Sequence, residues 1–192
     1  MDQVTLDLDL DCLVGILPRE RVTPQRLEGS LVLSLDLERT ATTGDLAQSV
    51  DYAAVDTAVR HLAEHGRFLL IETLAMTVLR WVLAPPGPGE ARAPVAEASV
   101  HLRKPQVMPR ALPGVQLTRK AHQVQVPRRS VADGVSERVL ADLEEVAVRR
   151  VEVDEGASWQ PGPGEEVAFG DGVGPCTLLV VSYRGAPQDP AA

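Results

Sequence analysis

Four side chains in this sequence have the type and setting to hold a polar ligand or move a proton: Glu20, Tyr52, Glu72 and Lys104. Glu72 lies in an apolar run, and on a helix its neighbours three and four residues away are Phe68, Leu69, Ala75 and Met76. That spacing predicts a carboxylate on the core side, where an unpaired charge is costly and donors are needed. The N–H groups of a first helical turn would serve, and so would a ligand edge presenting two N–H groups. Lys104 is one of only two lysines, with Lys120, beside seventeen arginines. Lysine is the cation whose pKa a protein can tune for acid–base work. Its place at a strand end fits a functional site or a solvated surface charge. Tyr52 follows a helix cap and fits packing as well as proton transfer. Glu20 falls in the polar stretch Pro18-Arg19-Glu20-Arg21, where exposure is the default.

Other chemistries find no support. His61 and His65 have helical spacing, but neither they nor His101 and His122 complete a metal-ligand pattern. Cys12 and Cys176 form no disulfide framework. The run Gly170-Asp171-Gly172-Val173-Gly174 lacks the Lys-Ser/Thr of a phosphate loop and reads as a turn. No metal and no cofactor is expected.

Regular elements must position these candidates. Val4, Leu6, Leu8, Leu10 and Cys12 alternate with Thr5, Asp7, Asp9 and Asp11, the period of a strand with one wet face. Leu31, Leu33, Leu35 and Leu37 repeat the pattern, with a Pro-containing loop over Gly15–Gln25 between them. Ser49 or Asp51 can cap a helix carrying Val55, Ala58, Val59 and Leu62, and Gly66 would end it. A second helix is predicted from about Leu70 to Leu83, stopped by Pro85-Pro86. A connector rich in Pro and Gly follows, then a strand from Ala96 to Leu102 and another around Val115 and Leu117. Strand, strand, helix, helix, strand, strand packs naturally as an antiparallel sheet with both helices on one face. Its open edges favour assembly with neighbouring copies.

Composition narrows the class. The 192 residues are 44% hydrophobic and 24% charged, an ordinary globular balance, with only 3% aromatics. The net charge of −8 and pI near 5.0 lack the basic footprint of a nucleic-acid or anionic-membrane binder. The apolar stretch from Phe68 to Ala84 is interrupted by Glu72 and Arg80, so no membrane span is expected. With no signal-peptide pattern at Met1-Asp2-Gln3, a cytoplasmic location is expected. Residues 121–192 carry −6 of the −8, which sets them apart. There Ser136–Glu145 could form a short helix, and Val146–Val153, Val167–Phe169 and Thr177–Tyr183 look like strands.

Four motifs fall in an order that resembles the dihydroneopterin aldolase family. They are Gly15-Ile16-Leu17-Pro18-Arg19-Glu20-Arg21 with Gln25, Gly44-Asp45-Leu46 followed by Ser49-Val50-Asp51-Tyr52-Ala53-Ala54-Val55, Leu70-Ile71-Glu72-Thr73-Leu74-Ala75, and Arg103-Lys104-Pro105-Gln106. The sequence departs from the family at Cys12-Leu13-Val14, where many members carry Tyr and His, and at Gly44, where an acidic residue is frequent.

The resemblance implies an α+β tunnelling fold over residues 1–120: a four-stranded antiparallel sheet with two helices on one face. It also implies a homo-oligomer, a ring tetramer or stacked octamer with sites between neighbouring subunits. By the same resemblance Glu72, with the Ile71 backbone beside it, holds the pterin, and Lys104 is the acid–base residue. Tyr52, from an adjacent subunit, and Glu20 complete the catalytic and substrate-binding set. The implied reaction is a metal-independent retro-aldol cleavage of 7,8-dihydroneopterin in folate biosynthesis. A 2′-epimerase of dihydroneopterin or its triphosphate, and a non-catalytic pterin-binding scaffold, are the alternatives. Residues 121–192 are expected to be an accessory β-rich extension, so a chain ending near Lys120 is expected to stay folded and active.

Overall fold

The alternation at the N-terminus becomes strand β1 (Asp2–Cys12), which runs antiparallel to β2 (Gln25–Leu35). The computed structural model describes residues 1–184. Between these strands the expected loop winds into a short helix, α1 (Pro18–Val22), with Pro18 preset for the first turn. A further short helix, α2 (Glu38–Thr43), precedes the two main helices, α3 (Tyr52–Gly66) and α4 (Ile71–Val82). Asp51 caps α3 by accepting from the N–H groups of Ala53 and Ala54. Then β3 (Glu97–Arg103) and β4 (Gly114–Lys120) complete an antiparallel meander in the order β1-β2-β3-β4.

Register sorts the two faces of this sheet. Leu10 sits opposite Leu27, and Leu31 lies between Leu6 and Val100, so one face is a continuous aliphatic layer under the helices. The other face carries Asp9, Arg26, Glu28, Ser99 and Thr118, linked by the Arg26 pairs to Asp9 and Glu28 and a Thr118–Ser99 hydrogen bond. This is the expected α+β architecture.

The rest of the chain builds a second sheet. Strands β5 (Arg129–Ala132), β6 (Val135–Asp142), β7 (Val146–Val153), β8 (Glu165–Ala168) and β9 (Cys176–Tyr183) are ordered β5-β6-β7-β9-β8. The short helix expected over Ser136–Glu145 does not form. Those residues are mostly β6, whose pairing with β7, bulged between Val139 and Ala141, overrides a weak local preference.

This second sheet covers the helices on the side away from the first. Leu140, Val146, Val148, Leu179 and Val181 join the same buried cluster as Leu31, Leu62, Leu74 and Val100. Helix α4 is apolar nearly all round, burying Leu74, Val78 and Val82 together with Ala75, Leu79 and Trp81, as a helix between two layers must be. Polar ties reinforce the contact: Arg80 donates to the Leu140 carbonyl at 2.7 Å, and His61 lies 3.1 Å from the Glu166 carbonyl. The fully buried Arg150 pairs with Glu90 and donates to the Pro85 carbonyl, and Thr177 donates to that of Pro88. The Pro/Gly connector is therefore pinned to the second sheet.

One shared core changes the outlook for a shortened chain. Ending it after Lys120 would remove Phe169 from the Trp81 ring, Leu140 from the Arg80 guanidinium and Arg150 from Glu90. The truncated protein is expected to be insoluble or to lose its cooperative unfolding transition, checked by soluble yield and thermal denaturation. A soluble protein with an unchanged melting temperature would show instead that the first sheet and its helices suffice.

Candidate active site

The first of the four candidates to find a partner is Glu20. It sits in α1 and is only 7% exposed, which overturns the exposure expected of its loop. Lys104 follows the last residue of β3 and reaches back 84 positions to meet it. Its Nζ donates to Glu20 Oε1 at 2.7 Å and to the Val14 carbonyl at 2.9 Å. The side chains of the pair are 12% and 8% exposed, so Lys104 is not a free surface charge.

The surrounding backbone is built for this carboxylate. The Leu17 N–H donates to Glu20 Oε2 at 3.0 Å. Gly15 has φ +143, and a Cβ there would fall 2.2 Å from Glu20 Oε2, so only glycine leaves room. Gln25 donates to the Val14 carbonyl at 2.8 Å, sharing that acceptor with Lys104. Burial pushes the Glu20 carboxyl up, but hydrogen bonds from Lys104 and the Leu17 N–H, with the ammonium charge, outweigh it and hold the group below the ordinary range. Nearby Cys12, at the end of β1, has its thiol pushed up to about 12 by burial, partly offset by Lys104. It is a packing residue and not a nucleophile.

The third candidate, Glu72, approaches through the backbone. The Gly15 N–H donates to the Phe68 carbonyl at 3.2 Å, which docks the start of α4 against the Glu20 loop. Ile71 is buried at the first position of α4, whereas Glu72 is exposed and accepts no hydrogen bond from the described residues. The core-facing carboxylate expected from spacing is thus corrected. Phe68 precedes the helix and alone turns inward, while Leu69 and Leu70 stay exposed. Glu72 keeps a place in the first turn, where the helix dipole favours a carboxylate.

Tyr52 is not brought to this cluster by its own chain. It opens α3 and is 67% exposed, whereas the Phe68 junction lies beyond the other end of that helix. The 15 residues of α3 span about 22 Å at ~1.5 Å each. Larger hollows of the chain also lie elsewhere. A cavity of about 390 Å³ between Trp81, Arg92, Phe169 and Cys176, and one of about 620 Å³ along Leu83, Ala121, Val124 and Pro127, include none of Lys104, Glu20 and Glu72. The Lys104–Glu20 pair instead adjoins exposed apolar residues, Ile16 and Leu17 on one docked segment and Leu69 and Leu70 on the other. A rim of that kind is what a second molecule covers.

Residue types and spacing assign no role to Gly15, Val14 or Gln25, although Gly15 and Gln25 lie in one of the four motifs. A glycine ahead of a polar loop was the available signal. The acceptor role of the Val14 carbonyl left none. Among the described residues no helix is long and apolar enough to cross a membrane.

Comparison with known proteins converges on one group. The family model described as FolB, dihydroneopterin aldolase, matches residues 5–118. A dihydroneopterin aldolase of Methylorubrum extorquens is 37% identical over 70 residues, 36% of this chain and 54% of that protein, so the match spans about half of that relative's length. A Vibrio cholerae structure assigned to dihydroneopterin aldolase superposes with TM-score 0.56 at 30% identity, covering 62% of this chain and 98% of that one. Escherichia coli dihydroneopterin aldolase in complex with neopterin gives TM-score 0.55 at 27% identity, covering 62% and 99%.

The buried pair makes a direct prediction. Lys104→Met strands the Glu20 carboxylate, and Glu20→Gln strands the ammonium, so each should destabilise the fold. In a double-mutant cycle by denaturant unfolding at pH 7, the two changes should couple by about 2 kcal/mol. Because Glu20 titrates lower in the folded state, its stabilisation is present above the ordinary carboxyl pKa of about 4.3 and is lost as pH falls through the lowered value. The coupling should shrink over that acidic range. Additive effects at pH 7 would mean the pair is not held as described.

Proposed function

The chain belongs to the dihydroneopterin aldolase family, and we propose that it cleaves 7,8-dihydroneopterin by a retro-aldol reaction, releasing 6-hydroxymethyl-7,8-dihydropterin and glycolaldehyde. The observation that supports this most is the buried Lys104–Glu20 pair beside the start of α4, where Glu72 faces outward with no partner among the described residues. In this reading the Glu72 carboxylate accepts from the pterin ring N–H and exocyclic amine, with the Ile71 backbone assisting. An exposed, unpartnered carboxylate suits that role better than a core-facing one would.

Glu20 and Lys104 then handle the side chain. The Lys104 ammonium has three N–H bonds, and its two contacts to Glu20 and Val14 leave one for a water on the 2′-hydroxyl. For the proton transfer the ammonium first gives its third proton through that water to solvent. The neutral amine keeps its donations to Glu20 and Val14, and its lone pair then accepts the 2′-hydroxyl proton through the water while Glu20 orients the hydroxyls. As the C1′–C2′ bond breaks, C2′ becomes the carbonyl of glycolaldehyde and the bonding electrons flow into the dihydropterin C6=N5 imine. Tyr52 delivers a proton to C1′, which restores the imine and yields the hydroxymethyl product. The substrate is its own electron sink, so the reaction as proposed runs without a metal.

Tyr52 serves this chemistry in a homo-oligomer, where a neighbouring subunit brings it to the pair. Its exposure, its place about 22 Å along α3 and the apolar rim around Lys104 support a site shared between copies. Residues 1–120 carry the reaction in this reading, and residues 121–192 are an addition to the family's fold.

The test is incubation of the purified protein with 7,8-dihydroneopterin and a chelator, with chromatography of the products. Equal amounts of 6-hydroxymethyl-7,8-dihydropterin and glycolaldehyde are expected, and intact substrate would refute the reading. Appearance of the 2′-epimer alone would assign an epimerase. Lys104→Ala should lower kcat by roughly a hundredfold or more, whereas Glu72→Ala should act mainly on KM. Mixed oligomers assembled from equal amounts of Lys104→Ala and Tyr52→Phe chains should regain roughly a quarter of wild-type activity, the fraction of interfaces that random pairing leaves intact. No recovery on mixing would place both residues in one subunit's site.

A further inference from the structure

The second sheet reaches the candidate active site through the guanidinium of Arg21. Arg21 adjoins Glu20 in α1, and its side chain is only 9% exposed. Its Nη1 donates to the Arg67 carbonyl at 2.8 Å and, at 3.4 Å, to the carbonyls of Gly15 and Phe68. One end of the fork therefore bridges the Gly15 turn and the segment leading into α4. The other end, Nη2, donates to Glu145 Oε2 at 2.6 Å. Glu145 lies in the turn between β6 and β7, and it is Arg21's only carboxylate partner among the described residues.

That turn is itself held. The Arg184 N–H donates to the Glu145 carbonyl at 2.6 Å, and its guanidinium pairs with Asp142 at 2.8 Å. The Leu143 N–H closes the turn onto the Val146 carbonyl at 2.9 Å. One residue before Arg184, the Tyr183 ring lies under the Arg67 guanidinium, 4.9 Å from its centroid. The end of β9 and the β6–β7 turn thus bear together on Arg21 and Arg67.

Glu145, the partner in this contact, lies past the last residue of the family match. The family match ends at residue 118, and the Vibrio cholerae and Escherichia coli structures are covered almost entirely by 62% of this chain.

We propose that the second sheet positions the catalytic loop of this enzyme, with Glu145 acting through Arg21 to fix the Gly15–Glu20 segment against Lys104 and the start of α4. The inference rests on the aldolase reading for its kinetic consequence. Glu145 touches no reacting atom and is a positioning residue. Its carboxylate fixes how the guanidinium is turned, so that Nη1 stays on the three carbonyls. Arg21 and Glu20 are adjacent in a helix of 5 residues, so a shift of one moves the other. Errors of an ångström in such a constellation cost rate far more than they cost binding. Ile71 is anchored in the core cluster and makes no hydrogen bond to Arg21 among the described residues, so the pterin clamp should be spared.

The experiment compares full-length wild type with Glu145→Ala and Glu145→Gln. Glu145 is partly exposed in a turn, and both variants should stay folded by circular dichroism. With 7,8-dihydroneopterin, Glu145→Ala should lower kcat about tenfold while KM stays within about twofold. Glu145→Gln keeps an oxygen acceptor for Arg21 and should recover most of that loss. Amide hydrogen exchange supplies a readout that needs no turnover: the Leu17 N–H, bonded to Glu20, should exchange faster in Glu145→Ala and not in Glu145→Gln. Unchanged kcat, or unchanged exchange at Leu17, in Glu145→Ala would overturn the inference. If wild type itself shows no turnover, the aldolase reading fails, and the exchange comparison still decides whether Glu145 holds the loop.

Discussion

A carboxylate and an ammonium buried together constrain everything around them. Glu20 and Lys104 are nearly removed from water, and a charge in that position persists only with its donors and acceptors supplied. The fold supplies them from three places: the Leu17 N–H at the cap of α1, the Val14 carbonyl after β1, and Lys104 just past the end of β3. Gly15 is fixed by the same requirement, since any side chain there would occupy the carboxylate's space. Once these are set, the Gly15 N–H reaches Phe68, and the start of α4 is placed. The geometry of the pair and the conformation of the loop are one problem here.

The layers explain why the site lies where it does. The four-stranded sheet carries the helices on one face and ion-paired polar residues on the other, and the second sheet closes the helices from the far side. The ends of the strands lie beyond this layered core. The Lys104–Glu20 pair sits at one such end with Ile16, Leu17, Leu69 and Leu70 exposed around it, and Tyr52 projects from the opposite end of α3. A chain so arranged has its acid–base pair and its tyrosine on different boundaries, which suits a site completed between copies.

Much of this was legible in the sequence, and the failures are instructive. Alternation over Val4–Cys12 and Ala96–Leu102 gave strands because one face of each is buried, and period two reports that directly. The caps and stops of α3 and α4 came from Asp51 and from Pro85-Pro86, local signals with local effects. The burial of Glu20 was hidden because it depends on a lysine 84 positions away and on the conformation of one glycine. Spacing points Glu72 the wrong way because it treats Leu69 and Phe68 as helical neighbours, although the helix begins only at Ile71. Strand β6 was read as helix because its identity comes from pairing with β7. The shared core was missed because α4 carries apolar residues on every side, a pattern that tells of burial without telling by what.

A crystal structure of the protein with bound neopterin tests the central claim most directly, that the Lys104–Glu20 pair organises one site completed between copies of the chain. The pterin edge should lie on Glu72, the side-chain hydroxyls against Lys104 and Glu20, and a neighbouring subunit's tyrosine, its copy of position 52, over the C1′ carbon. A ligand seated instead in the cavity between Trp81, Arg92 and Phe169, with the Lys104–Glu20 pair untouched, would contradict it.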